Sequence, residues 1–179
     1  GGDELMFDYR EFRPAFELAA AHGLRRTAHA GEVGPPEKVR DAVEVLGAER
    51  VGHGIATLHD PALAALLAER GIALEVCPTS NVCTGALARQ LGAREATLAD
   101  HPLPRLLAAG VPATLATDDP AMFHTDIVSE HVACATQLGM TAAEIVRLVE
   151  AGFEHAFLPA DERRALVARV RREAAALGL

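Results

Sequence analysis

Thr27-Ala28-His29-Ala30-Gly31-Glu32 is the stretch whose reading decides the fold. An apolar-leaning run, Leu24 to Ala28, leads into a histidine. Gly31, Glu32 and the pair Pro35-Pro36 follow before a helical pattern begins. A buried strand ends this way when its C-terminal tip carries chemistry and the next loop must fold tightly. In such a turn a histidine and a carboxylate three residues apart can face one pocket, one as a metal ligand and the other as an acid or base. His-x-x-Glu alone is a common spacing. It gains weight because polar strand tips recur downstream.

Before this stretch, Gly1-Gly2-Asp3-Glu4 opens without an initiator methionine and reads as a loop following a strand outside the chain. Asp8 to His22 reads as a helix with Phe12, Phe16 and Leu18-Ala19 apolar, stopped by Gly23. After it, Pro36 suits a first helical position, with Val39, Ala42, Val43 and Leu46 on one face and Gly47 as the stop. Arg50 to Ile55 is a very short strand whose His53 lies between Gly52 and Gly54, an arrangement that lets backbone approach a ligand. Asp60-Pro61 caps a helix with Leu63, Leu66 and Leu67 inward, ended by Gly71. Ile72 to Val76 runs into Cys77-Pro78-Thr79-Ser80-Asn81. A helix over Leu103 to Ala109 then precedes a fourth strand, Val111 to Leu115, which runs into Thr117-Asp118-Asp119-Pro120.

Strand, polar tip, helix and glycine stop thus repeat, which implies an α/β fold of parallel strands with helices outside. The chemically loaded residues all follow C-terminal strand ends, where barrels and open α/β sheets place their sites. No Gly-x-Gly-x-x-Gly loop follows a strand, which disfavours a dinucleotide site. The rest is helical: Ile127 to Leu138; a segment opened by the capping box Thr141-Ala142-Ala143-Glu144; and an amphipathic helix from Pro159 using Leu166, Val167, Val170 and Leu177. A complete (β/α)8 barrel takes about 250 residues. The 179 residues here show no linker or domain boundary and read as half of one barrel domain.

A net charge of -8 without a Lys/Arg block argues against nucleic acid as a partner. No apolar run approaches the ~20 residues of a membrane span. Cys77, Cys83 and Cys134 are odd in number and loosely spaced, which fits buried or semi-buried thiols in a reducing, cytoplasmic setting.

Four strand tips therefore offer His29 with Glu32, His53, Thr79-Ser80-Asn81, and Asp118 with Asp119. Histidine and aspartate from separate strand ends can converge on one divalent ion, and Zn²⁺ suits mixed nitrogen and oxygen ligands. The remaining carboxylate and histidine could act as proton donor and orienting base. Blander readings stand beside these. Asp-Asp-Pro also reads as a turn with an Asx cap, and Ser80 and Asn81 as groups that satisfy loop backbone. Solvent exposure is the default for His22, His59, His101, His124, His131 and His155, while Glu75 has either a buried partner or an edge position.

His29-Ala30-Gly31-Glu32, Val51-Gly52-His53-Gly54, Cys77-Pro78-Thr79-Ser80-Asn81 and Thr117-Asp118-Asp119-Pro120, in this order, resemble the adenosine deaminase family of zinc amidohydrolases. The likeness runs from Gly2-Asp3-Glu4 to Phe157-Leu158-Pro159 and the terminal helix. It implies a TIM barrel, with this chain similar to the C-terminal half, and hydrolytic deamination of a 6-aminopurine nucleoside, adenosine to inosine plus ammonia. By that resemblance His29 and Asp118 are zinc ligands, and Glu32 exchanges a proton with purine N1. His53 orients and helps deprotonate the attacking water, Asp119 hydrogen-bonds N7, and the Gly2 backbone N–H meets N3.

Two departures bear on this. The family's His-x-His zinc pair is absent, since no two of the eight histidines are two apart, so the N-terminal half that would carry it is an implied partner. Ala116 stands where family members usually carry Asn, which removes a hydrogen bond near Asp118. Adenine or a modified adenine nucleoside is the alternative substrate. A non-catalytic purine-binding fragment is the alternative from another class.

Overall fold

A computed structural model describes residues 3–179. Four short parallel strands, β1 (Thr27–Ala30), β2 (Arg50–His53), β3 (Ala73–Val76) and β4 (Ala113–Leu115), lie side by side in sequence order. The helices are α1 (Arg13–Ala21), α2 (Pro36–Glu44), α3 (Pro61–Arg70), α4 (Pro78–Cys83), α5 (Ala86–Gln90), α6 (Leu103–Ala108), α7 (Pro120–Phe123), α8 (Ile127–Gln137), α9 (Ala142–Glu154) and α10 (Ala160–Ala176). Parallel neighbours joined by helical crossovers are the βα repeat of the expected α/β barrel class.

Strand alternation divides the sheet into two unlike faces. Ala30, Val51, Leu74, Val76 and Ala113 are buried against Val39, Val43, Leu63, Leu67, Leu103 and Leu106 of α2, α3 and α6. The register pairs His29 with Gly52, Gly52 with Glu75, and Glu75 with Thr114, so these positions share the opposite face with Thr27 and Arg50. That face is small or polar. On it Arg50 and Glu75, from adjacent rows, form an ion pair (Nε to Oε1, 3.0 Å) that is not aligned as a hydrogen bond. Thr27 Oγ1 donates to Glu75 Oε2 at 2.8 Å, and the Arg50 guanidinium lies 3.7 Å from the Phe157 ring centre. Glu75 thus has a partner on this face.

Several boundaries differ from expectation. The first strand begins at Thr27, not Leu24, because ladder pairing with β2 starts there. Leu24 is 61% exposed, and Glu49 ties down Arg25 and Arg26. Asp8–His22 is not one helix: a 3-10 turn, Tyr9–Phe12, precedes α1, whose second residue, Pro14, has no N–H to donate. The Phe12 and Leu18 side chains stay exposed. Pro78–Cys83 is helical, so Thr79, Ser80 and Asn81 are not loop residues.

The capping box at Thr141 forms as expected, with Glu144 accepting from the Thr141 N–H. α10 packs on α9, where Arg171 makes a two-pronged ion pair with Glu150. The cysteines are free. Burial pushes the Cys77 and Cys134 thiols up to about 12, whereas Cys83 is exposed, not semi-buried. No helix among the described residues is long and apolar enough to cross a membrane.

Candidate active site

The tip of β1 is held from both sides. The Glu4 carboxylate accepts from the backbone N–H groups of Gly31, Val33 (3.0 Å) and Gly34 (2.9 Å). Gln90 Nε2 donates to the carbonyls of Glu32 (2.9 Å) and Gly34 (2.8 Å). The buried Tyr9 hydroxyl donates to the His29 carbonyl, and burial raises its pKa. These bonds use the backbone valences of the loop and fix where Glu32 stands. Its carboxylate is 3.4 Å from Thr84 Oγ1 and 3.6 Å from His53 Nε2.

Simple alternation would send the His53 side chain toward the helices with Val51. Instead its backbone takes a left-handed turn, φ 59°, a conformation rare outside glycine and costly enough to mark a site. The turn brings the ring beside His29, with centres 5.2 Å apart. Gly52 leaves the His29 ring room, since a Cβ there would lie 3.2 Å from it and press it aside by a few tenths of an ångström. His53 is 1% exposed. Burial lowers its pKa and the Glu32 carboxylate partly opposes that. Its Nδ1 faces Asn81 Nδ2 at 3.1 Å.

Asp118, after β4, also has a left-handed backbone, φ 58°. Ser80 Oγ of α4 donates to its Oδ2 at 2.7 Å. Half-buried Ala116 offers no such bond, so the partner of Asp118 comes from the neighbouring tip. Asp119 is the N-cap of α7: its Oδ1 accepts from Met122 N–H at 3.0 Å. The Asx-cap reading of Asp-Asp-Pro is therefore correct for Asp119, and Oδ2 has no other bond among the described residues.

One ligating atom each from His29, His53 and Asp118 lies within 4.8 Å of the others. Neutral imidazole nitrogens and a carboxylate oxygen are the donors that zinc and similar divalent ions take. His29, Glu32, His53 and Asp118 thus come together as the strand-tip reading expects. Asp119 stands next to the cluster on the same turn, and Gly2 lies outside the described residues.

Other expectations fail. Ser80 and Asn81 bond site side chains and do not merely serve loop backbone. His101 is not solvent-exposed but 4% accessible, and burial draws its pKa down to about 4. His131 and His155 are half-buried. Glu4 and Gln90 carried no local signal of their clamping role. His101 had one: it sits in His101-Pro102-Leu103-Pro104, where a helix start needs acceptors.

A family model described as Adenosine deaminase matches residues 1–173. The chain is 44% identical over 170 residues to adenosine deaminase of Serratia proteamaculans, covering 95% of this chain and 49% of that one. It is 43% identical over 160 residues to aminodeoxyfutalosine deaminase of Streptomyces coelicolor, covering 89% of this chain and 39% of that one. A solved amidohydrolase from Burkhoderia ambifaria, described with bound Zn, superposes with a TM-score of 0.87 at 29% identity, over 99% of this chain and 48% of that one. The chain spans about half the length of the curated relatives it matches. With its strand tips so arranged and the family model running nearly end to end, the chain belongs to the adenosine deaminase family.

Proposed function

We propose that the full-length protein is a zinc-dependent deaminase that replaces the 6-amino group of adenosine with oxygen, and that these residues are the C-terminal half of its single barrel domain. The observation that carries this reading is the convergence of His29, His53 and Asp118 within 4.8 Å, with Glu32 alongside. His29 and Asp118 would hold the ion, which when bound supplies a Lewis acid and lowers the pKa of water to about 7. A catalytic zinc takes about three protein ligands and an open position. The family's His-x-His pair, on a partner stretch outside these residues, would complete the set.

Glu32, set by its clamped loop, delivers a proton to purine N1, which makes C6 electrophilic. His53 orients the attacking water by a hydrogen bond. The new C–O bond forms at C6 and the C–N bond breaks. Of the water's two protons one ends on the leaving nitrogen, which departs as ammonia, and the other replaces the proton Glu32 gave to N1. Asp119 hydrogen-bonds N7 through the oxygen its cap leaves unused, and the Gly2 N–H meets N3. Free thiols support a reducing compartment, the cytoplasm.

The near-equal identity to an aminodeoxyfutalosine deaminase supports a second reading, a modified adenine nucleoside as substrate. Ultraviolet absorbance follows loss of the 6-amino group. The full-length zinc-loaded protein should turn over adenosine or such a nucleoside at least tenfold faster in kcat/KM than adenine. No change with any 6-aminopurine would defeat the proposal.

A further inference from the structure

A buried hydrogen-bond chain runs from the start of α6 to His53. It begins at the Leu103 backbone N–H, which donates to His101 Nδ1 at 3.2 Å. A backbone amide can only donate, so His101 Nδ1 holds a lone pair and the ring hydrogen sits on Nε2. That Nε2 lies 3.3 Å from Asn81 Oδ1, and its hydrogen points into the amide oxygen. The orientation of the Asn81 amide follows. Its Nδ2 faces His53 Nδ1 at 3.1 Å and donates to it. His53 Nδ1 is therefore also an acceptor, and the hydrogen of this ring is on Nε2, the nitrogen 3.6 Å from Glu32 Oε2. His53, Asn81 and His101 are all buried, so water does not compete for these bonds.

We propose that Asn81, itself oriented by His101, is a positioning residue that locks His53 in the Nε2–H tautomer. A nitrogen that carries hydrogen has no lone pair for a metal. His53 thus stands in the cluster as a hydrogen-bond donor, and ligation falls to His29 and Asp118. Desolvation keeps His101 neutral at pH 7, with a pKa of about 4, so its Nδ1 remains an acceptor for the Leu103 N–H. The effect on turnover rests on the deaminase reading; the tautomer does not.

The test is ring-nitrogen NMR of the full-length, zinc-loaded protein with ¹⁵N-labelled histidine. His53 Nδ1 should give a hydrogen-free, pyridine-type signal, and a pyrrole-type signal there overturns the proposal without any mutant. In Asn81→Asp the carboxylate can only accept, so His53 Nδ1 should become protonated. Zinc content should stay the same, KM should stay within about threefold, and kcat should fall about 10–100-fold, as outer-shell substitutions do. An Asn81→Asp protein with unchanged ring signals, or with changed signals and wild-type kcat, contradicts the positioning role. If the wild-type protein deaminates no 6-aminopurine but its His53 signals are as expected, the functional reading fails and the tautomer assignment stands.

Discussion

The two ends of one sheet face use similar side chains to opposite effect. At the N-terminal end Thr27 and Arg50 hold the Glu75 carboxylate, which reaches them from the His29 register row, and Arg50 also donates to the His155 carbonyl at 3.2 Å and stacks on Phe157. One row beyond Thr27 and Arg50 on this face, His29 makes no side-chain hydrogen bond among the described residues. There Glu32 has only long contacts at 3.4 and 3.6 Å, and Asp118 has one partner, Ser80. One end has its charges paired and acts as a brace. The other holds its groups by backbone clamps and second partners while leaving their working atoms open. Barrel folds are expected to divide stability and chemistry between their ends in this way.

Substitutions should separate the two ends. The largest effect is expected at His29→Ala, which should lose the metal and bring activity below detection; full zinc occupancy by elemental analysis would refute the ligand assignment. Glu32→Gln should lower kcat about 10²–10⁴-fold with zinc retained, and a near-normal kcat would remove Glu32 as proton donor. Ser80→Ala frees the Asp118 carboxylate and should cost about 10–100-fold in zinc affinity or activity, read by competition with a chelator. At the brace, Glu75→Ala should lower unfolding stability by about 1–3 kcal/mol, between exposed and fully buried pairs, and leave kcat/KM within about threefold. A larger catalytic loss than stability loss there would erase the contrast between the ends.

The smallest effect concerns pH. His101 has a folded pKa near 4, below its unfolded value of about 6.5. The unfolded chain therefore binds the extra proton first, and stability drains away as pH falls from about 6.5 toward about 4. Urea midpoints across that window should fall less steeply in His101→Gln than in wild type, and parallel curves would contradict the burial of a neutral imidazole.

The sequence shows its strand tips because alternation, helix periods and proline–glycine punctuation are local. His29, His53 and Asp118 could be named because each sits at the end of such a unit. The supports of the site are different in kind. Glu4 reaches Gly31 from 27 residues away, and His101 reaches Asn81 across 20. Such pairings exist only once the units pack. For the same reason Glu75 is ambiguous in sequence and paired in the fold, since its partners Thr27 and Arg50 come from two other strands. The left-handed turn at His53 has only a partial signal in its flanking glycines.

X-ray absorption at the zinc edge, or anomalous diffraction, on the full-length protein tests the central claim most directly. One zinc bound to His29 Nε2 or Nδ1 and an Asp118 oxygen, with His53 near but uncoordinated, is the result this account predicts. A zinc bound elsewhere, or one that His29 and Asp118 do not share, would contradict it.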